Sequence, residues 1–203
     1  NCLTCCRDML AGFAFTFLYL VSLGHSAPLA CEDLSRPLDQ LNPQHLQGRW
    51  TLVAGSNNPP LTPGELKDLR SGSMALYFSN TSETSVYSYT QANRVDDECY
   101  YLSYNLSIEN STFTSNLSWY NLTWSILNTS CSDCLVIRWA LKKAKSASVD
   151  LFVYLFSRRR ELEQKEMEEF RAQLECLKMP SPKKMDPTKE LCNYEAPASS
   201  WLV

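Results

Sequence analysis

Cys131-Ser132-Asp133-Cys134 sets two thiols three positions apart. At that spacing cysteines cross-link locally, cycle between thiol and disulfide, or supply half of a zinc site. The one other pair at this spacing, Cys2 and Cys5, lies upstream of the apolar run Met9 to Leu23, so no second pair in the folded region completes a zinc site. The motif falls in a hairpin turn, whereas a thioredoxin-like motif opens a helix after a strand. Three readings stand: a local structural disulfide, free or intermolecular thiols, and a soft metal or organometal site. The other reactive groups are sparse. Of the two histidines, His45 lies in a Pro/Gln-rich stretch and reads as a surface or capping residue. Asp96-Asp97-Glu98 groups carboxylates, but directly before Cys99 it reads as a solvated turn rather than a glycosidase pair. There is no glycine-rich nucleotide loop, nucleophile elbow or HExxH. The expectation is a protein that is not an enzyme, with no catalytic residues, no metal and no cofactor.

Composition directs attention to binding. The chain has 203 residues, 44% of them apolar and 20% charged, and a formal net charge of -3. That balance suits one well-buried domain and excludes a strong electrostatic hold on nucleic acid. The uncharged run Met9 to Leu23, followed by small residues from Gly24 to Ala30, reads as a secretory leader with its cleavage zone. Residues 1–27 are therefore expected to be signal peptide and upstream sequence, 28–195 the folded domain and 196–203 a flexible tail. No transmembrane anchor is expected in the mature chain. Removing the leader takes Cys2, Cys5 and Cys6 with it and leaves Cys31, Cys99, Cys131, Cys134, Cys176 and Cys192, an even set suited to an oxidising compartment. Glycosylation sequons stand at Asn80, Asn105, Asn110, Asn116, Asn121 and Asn128. Together these features predict a secreted, extracellular glycoprotein.

The elements that would position a site are mostly strands. Leu34 to Gln47 reads as an irregular entry with one helical turn. Arg49–Ala54 reads as a strand, and Glu65–Arg70 as a short helix in the loop that follows. β-favouring segments then recur at Met74–Phe78, Ser85–Thr90, Cys99–Ile108, Thr112–Tyr120, Leu122–Leu127, Leu135–Ala140 and Val149–Phe156. Tyr87 and Tyr89 share one parity, as do Leu122, Trp124 and Ile126. Short, evenly spaced strands with hairpin-length links predict an all-β fold, an eight-stranded up-and-down antiparallel barrel wide enough for one small ligand. Arg159 to Lys178 reads as a helix packed outside it, with Met167, Phe170, Leu174 and Leu177 as its apolar stripe and Glu161–Lys165 paired on the wet side. The barrel interior is the candidate site. The parity of Arg138 within Leu135-Val136-Ile137-Arg138-Trp139 stays open between inward and outward.

Gly48-Arg49-Trp50 on the first strand resembles the Gly-x-Trp entry of the lipocalins, with Gly48 and Trp50 in structural roles. Leu38-Asp39-Gln40-Leu41, Ala75-Leu76-Tyr77-Phe78, Asp97-Glu98-Cys99-Tyr100-Tyr101 and the run Glu169 to Leu177 extend the likeness toward the orosomucoid (alpha-1-acid glycoprotein) branch and its toxin- and organotin-binding fish members. The resemblance covers residues 31 to about 195. It implies disulfides Cys31–Cys176 and Cys99–Cys192, with Cys131 and Cys134 extra. It also implies transport of small hydrophobic or amphipathic molecules in plasma, with toxins or organotin among the ligands. The alternative is an acute-phase or immune-modulating glycoprotein that contacts a cell-surface or plasma protein. Carried over residue by residue, the ligand-binding set is Leu76, Tyr87, Tyr89, Gln91, Ser115, Arg138, Phe152 and Tyr154.

Overall fold

A computed structural model of the chain describes residues 31–62, 64, 73–81, 86–107, 111–116, 120–143 and 148–194. The expected leader, the helix over Glu65–Arg70, the sequon at Asn110 and the tail 196–203 lie outside those residues. Two short helices open the described chain, α1 (Cys31–Ser35) and α2 (Pro43–Leu46). The strands follow as β1 (Gly48–Asn58), β2 (Ser73–Asn80), β3 (Val86–Val95), β4 (Glu98–Ser107), β5 (Thr112–Asn116), β6 (Tyr120–Leu127), β7 (Cys134–Lys143) and β8 (Val149–Ser157). Helix α3 (Gln164–Cys176) and the two-residue strand β9 (Lys183–Lys184) complete it.

The fold is all-β, with eight antiparallel strands in up-and-down order. Neighbours run β4-β3-β2-β1-β8-β7-β6-β5, and β9 adds to β1. The first and last strands of the meander pair with each other, which curls the sheet into a barrel. Among the described residues no ladder joins β4 to β5. Across the curl, Tyr89 of β3 and Phe78 of β2 bring their rings to 6.0 and 6.5 Å from that of Trp124 on β6.

Strand alternation sorts side chains between two apolar clusters. Trp50, Leu52, Leu76, Phe78, Tyr89, Trp124, Ile126, Ile137 and Phe156 fill the inside. Val53, Ala54, Val136, Val153 and Leu155 face outward beneath Met167, Phe170 and Leu174 of α3. A register shift between Leu52 and Ala54 lets β1 serve both clusters.

Several element boundaries differ from expectation. The helix begins at Gln164 rather than Arg159, because Glu163 and Glu166 form a reciprocal capping box there. Glu161 thus precedes the helix, and the expected Glu161–Lys165 pair on its surface is not formed. The expected strand Thr112–Tyr120 divides, β5 ending at Asn116 and Tyr120 opening β6. β1 and β3 run past their expected ends to Asn58 and Val95.

The barrel's closed end is held by one side chain. Gly48, at φ +90°, turns the chain into β1. The guanidinium of Arg158, just past β8, then lies 3.7 Å from the ring centre of Trp50. It donates to the carbonyls of Arg49, His45 and Gln47 at 2.7, 2.9 and 2.5 Å, and Trp50 Nε1 donates to Leu46 O at 2.8 Å.

Three disulfides are formed: Cys31–Cys176, Cys99–Cys192 and Cys131–Cys134. The first two pairings agree with the resemblance, and the third resolves the open readings of the CxxC toward a local disulfide. In the chain-entropy picture, the long loops of the first two give about 5 kcal/mol each, against about 2 kcal/mol for the short third one.

Replacing Arg158 by alanine removes a cation–π contact and the donor to three carbonyls at an exposed site, an expected loss of about 1–2 kcal/mol. In thermal unfolding Arg158→Ala should melt ~2–8 °C below the parent. Arg158→Lys should recover only part of this, because an ammonium has no fork to span the carbonyls. A melting temperature unchanged in the alanine variant would refute this role.

Candidate ligand-binding site

From the closed end upward, inward-facing side chains change from fully buried to half-exposed. Trp50, Leu135, Ile137 and Phe156 are sealed, and a layer of Phe78, Tyr89, Phe113 and Trp124 lies above them. Within that layer Phe113 and Trp124 stack at 3.9 Å. Higher on the same faces, Met74, Gln91, Asn93, Leu122, Trp139, Phe152 and Tyr154 are only half-buried. These inward-facing side chains keep accessible surface above the aromatic layer, where the interior and, among the described residues, the seam between β4 and β5 are open. The aromatic layer is the floor of a cup whose walls are those upper residues.

The ladders fix which face each candidate takes. Leu76 stands opposite Gln91, and Phe78 opposite Tyr89. Trp124 stands opposite Trp139, which in turn faces Phe152. Gln91, Phe152 and Tyr154 thus line the cup, while Leu76 and Tyr89 lie at its floor. Tyr87 shares their parity but pairs with Asn80 near the closed end and is buried there, beneath the floor. Ser115 stands opposite Leu122 in the β5–β6 ladder, and its side chain lies outside the described ones.

Arg138 is a correction. It pairs with Ser125 and Val153, and Val153 belongs to the outer cluster under α3. Arg138 is therefore on the outer face, and the inward residue is its neighbour Trp139. A continuous apolar run is the physical reason. The outer face of β7 is itself buried around Val136, so no polar alternation marks which residues point in.

Asn57, Asn93, Trp124 and Trp139 belong to the site but not to the expected set. For the two tryptophans the signal was present, since each alternates with an isoleucine of the same face. Asn57 had none, lying beyond the expected end of β1.

Polar groups in the cup are neutral and mutually bonded. Asn57 Nδ2 donates to Tyr154 Oη at 2.9 Å. Tyr89 Oη donates to Gln91 Oε1 at 2.9 Å, and Gln91 Nε2 donates to Asn93 Oδ1 at 3.1 Å. The Tyr154 ring lies flat on Gly55, where a Cβ would approach its ring carbons to 2.7 and 2.9 Å. Trp139 meets the same ring edge-on at 5.2 Å. Burial pushes the Tyr154 phenol above its ordinary value, with the Asn57 hydrogen bond acting the other way. Near the rim Asp150 pairs with Lys143 at 3.1 Å. No charged side chain reaches the cup between that pair and the floor among the described residues.

Cys131, Asp133, Cys134 and Glu166 cluster below the closed end, with ligand atoms within 4.8 Å of one another. Both sulfurs are in a disulfide, and Arg159 pairs with Asp133 at 2.6 Å and Glu166 at 2.7 Å. A guanidinium already sits where a cation would bind, so the arrangement does not suit a metal ion. Hydrogen bonds from Arg159 hold the Asp133 carboxyl below the usual carboxylate range.

No protein-family model and no curated protein matches the chain. Its barrel and cup therefore stand on their own geometry.

Because the folded phenol of Tyr154 titrates above its unfolded value of about 10, its neutral form contributes stability that is intact below that pH and lost as pH rises through the folded value. Thermal melts from pH 8 to 11.5 should therefore show an extra fall above about pH 10 in the parent relative to Tyr154→Phe. Identical slopes would place the phenol in solvent. Gly55→Ala should force the Tyr154 ring off the β1 backbone, costing about 1–3 kcal/mol and reducing the near-ultraviolet circular dichroism of the Trp139–Tyr154 pair.

Proposed function

We propose that the protein is a secreted, glycosylated lipocalin-like carrier that holds small, uncharged or amphipathic hydrophobic molecules in the cup above Trp124. The observation that carries this reading is the gradient of exposure among inward-facing side chains, which leaves aromatic and amide groups accessible inside the barrel. Trp139, Phe152 and Tyr154 offer aromatic area, and Asn57, Gln91 and Asn93 offer placed hydrogen-bonding groups, the usual make-up of a small-molecule site. The neutrality of the lining favours steroid-like, fatty or mildly amphipathic ligands over strongly charged ones, because an unpaired charge in the cup would lose its hydration. A guanidinium toxin finds no inward carboxylate below the rim among the described residues. Organotin finds no free thiolate at Cys131 or Cys134.

Three disulfides suit an oxidising compartment. Among the described residues no helix is long and apolar enough to cross a membrane. The sequon asparagines Asn80, Asn105, Asn121 and Asn128 are exposed, as glycan attachment requires. The side chains of Asn110 and Asn116 lie outside the described ones. A second reading, modulation through protein contacts, draws on Tyr101 and Tyr194, 39 and 46% exposed on β4 and the segment tied to it by Cys99–Cys192. Tyr100 and Leu102, 53 and 51% exposed, stand opposite Asn93 and Gln91 and so belong to the cup's face at its open edge.

Expression of the full sequence in a glycosylating host should release a glycoprotein into the medium. Titrating it with steroids, fatty acids, basic amphiphiles and a trialkyltin should give saturable, one-to-one quenching of tryptophan emission by an uncharged ligand, at micromolar or tighter Kd. Trp139→Phe should remove a large part of that quench. Silence from a folded monomer across the panel would reject the carrier reading and leave the protein-contact one.

A further inference from the structure

The Cys131–Cys134 disulfide stands at the opposite end of the barrel from the cup, in the wall of a second cavity of about 390 Å³. The entry segment supplies Leu38, Leu41 and His45 on one side of this cavity, and the β6–β7 hairpin supplies Ile126, Leu135 and the two cysteines on the other. The carrier function uses none of these residues.

Three features separate this disulfide from the other two. Its cysteines are three positions apart, against 145 and 93 for the others. Opening it releases little chain entropy, so the long-loop pairs keep the barrel folded while it reacts. Its electrostatic setting is asymmetric: Arg159 Nη2 lies 3.7 Å from Cys131 Sγ. Asp133 Oδ1, 3.2 Å from the same sulfur, has its charge engaged by Arg159 Nε and Nη2 at 2.6 and 2.8 Å. Arg159 is shared between Asp133 and Glu166 and is the cation that reaches this pair, so it can offset the carboxylates as negative charge develops on Cys131 Sγ. Finally, the cavity beside the disulfide combines leucine and isoleucine side chains with Gln40, Asn42, His45, Thr129 and Ser132 and has no carboxylate, lysine or arginine in its lining, which selects what can approach.

We propose that the closed-end cavity is a thiol–disulfide exchange site for a small thiol with an apolar body. The incoming thiol loses its proton to water, and its sulfur attacks Cys134 Sγ. A new S–S bond forms there, the Cys131–Cys134 bond breaks, and the electron pair leaves on Cys131 Sγ beside Arg159. A second thiol molecule then attacks the mixed disulfide at the sulfur of the first. The small molecule departs as its own disulfide, oxidised by two electrons, and the protein keeps a dithiol at Cys131 and Cys134.

The test is exchange on the native protein with benzyl mercaptan, and with glutathione as a charged comparison at equal thiolate concentration. Samples are acid-quenched, alkylated with iodoacetamide and mapped by peptide mass. Adduct or alkyl label should appear at Cys131 and Cys134 alone, with Cys31–Cys176 and Cys99–Cys192 intact, and benzyl mercaptan should react at least tenfold faster than glutathione. Leu41→Trp, which narrows the cavity, should slow benzyl mercaptan at least fivefold and bring its rate toward that of glutathione. The rate ratio in the parent protein decides the matter even if that variant does not fold. No reaction before unfolding, equal rates for the two thiols, or label spread over all three disulfides would each overturn the proposal. Carriage in the cup is read by tryptophan quenching, so the two ideas fail separately.

Discussion

The contact between Arg158 and Trp50 is the constraint on which the rest of the barrel depends. The entry turn and the start of β1 bring the carbonyls of His45, Gln47 and Arg49 together at the exposed bottom of the barrel, where all three accept from one guanidinium that also lies on the indole of the buried Trp50. Because Arg158 directly follows β8, the same side chain ties the end of the last strand to the start of the first. Gly48 belongs to the same device, since a Cβ there would press to 3.1 Å on Arg158 Nη1. Burial lowers the Arg158 pKa from its ordinary value, with Asp133 acting the other way, and a guanidinium is a permanently charged group in proteins.

Once the bottom is sealed, the aromatic residues above it have a fixed order. Trp124 meets Phe78, Tyr89 and Phe113 and halts the close packing about midway along the strands. Above that layer the inward positions alternate large rings with amides. Gly55 removes a side chain where the Tyr154 ring must lie flat, so the ring covers backbone and turns its hydroxyl toward Asn57. The cup is thus a consequence of where filling stops.

Period-two patterning made much of this legible in the sequence. Tyr87 and Tyr89, and likewise Leu122, Trp124 and Ile126, could be assigned to one face because polar residues alternate with them. β7 could not be read in this way. Val136 packs under α3 while Ile137 packs inside, so both faces are apolar and Arg138 alone carries no parity information. Only the ladder to β6 and β8 turns it outward and Trp139 inward. The start of α3 was hidden for a related reason. Arg158, Arg159 and Arg160 are good helix formers, yet each is engaged by tertiary partners: the entry carbonyls, the Asp133 and Glu166 carboxylates, and the carbonyls of Asp186 and Lys189. Propensity yields to such partners, and the helix waits for the Glu163–Glu166 capping box. Asn57 and Asn93 were missed because nothing local shows that a strand continues through asparagine.

The distribution of charge separates the two ends of the molecule. Ionic groups gather at the closed end, where Arg158 serves carbonyls and Arg159 binds two carboxylates, and at the rim, where Lys143 meets Asp150. Between them the cup presents amides, phenols, rings and the aliphatic side chains of Met74 and Leu122. A low-dielectric cavity with neutral, mutually satisfied polar groups imposes little penalty on an uncharged guest, which has only to exchange a few hydrogen bonds. A charged guest would need a counter-ion from the rim. In the proposed carrier, selectivity would rest on shape and on how well a ligand replaces the Tyr89–Gln91–Asn93 and Asn57–Tyr154 hydrogen bonds. The short-loop disulfide, by contrast, lies at the closed end, beside an Arg159 that is shared by Asp133 and Glu166.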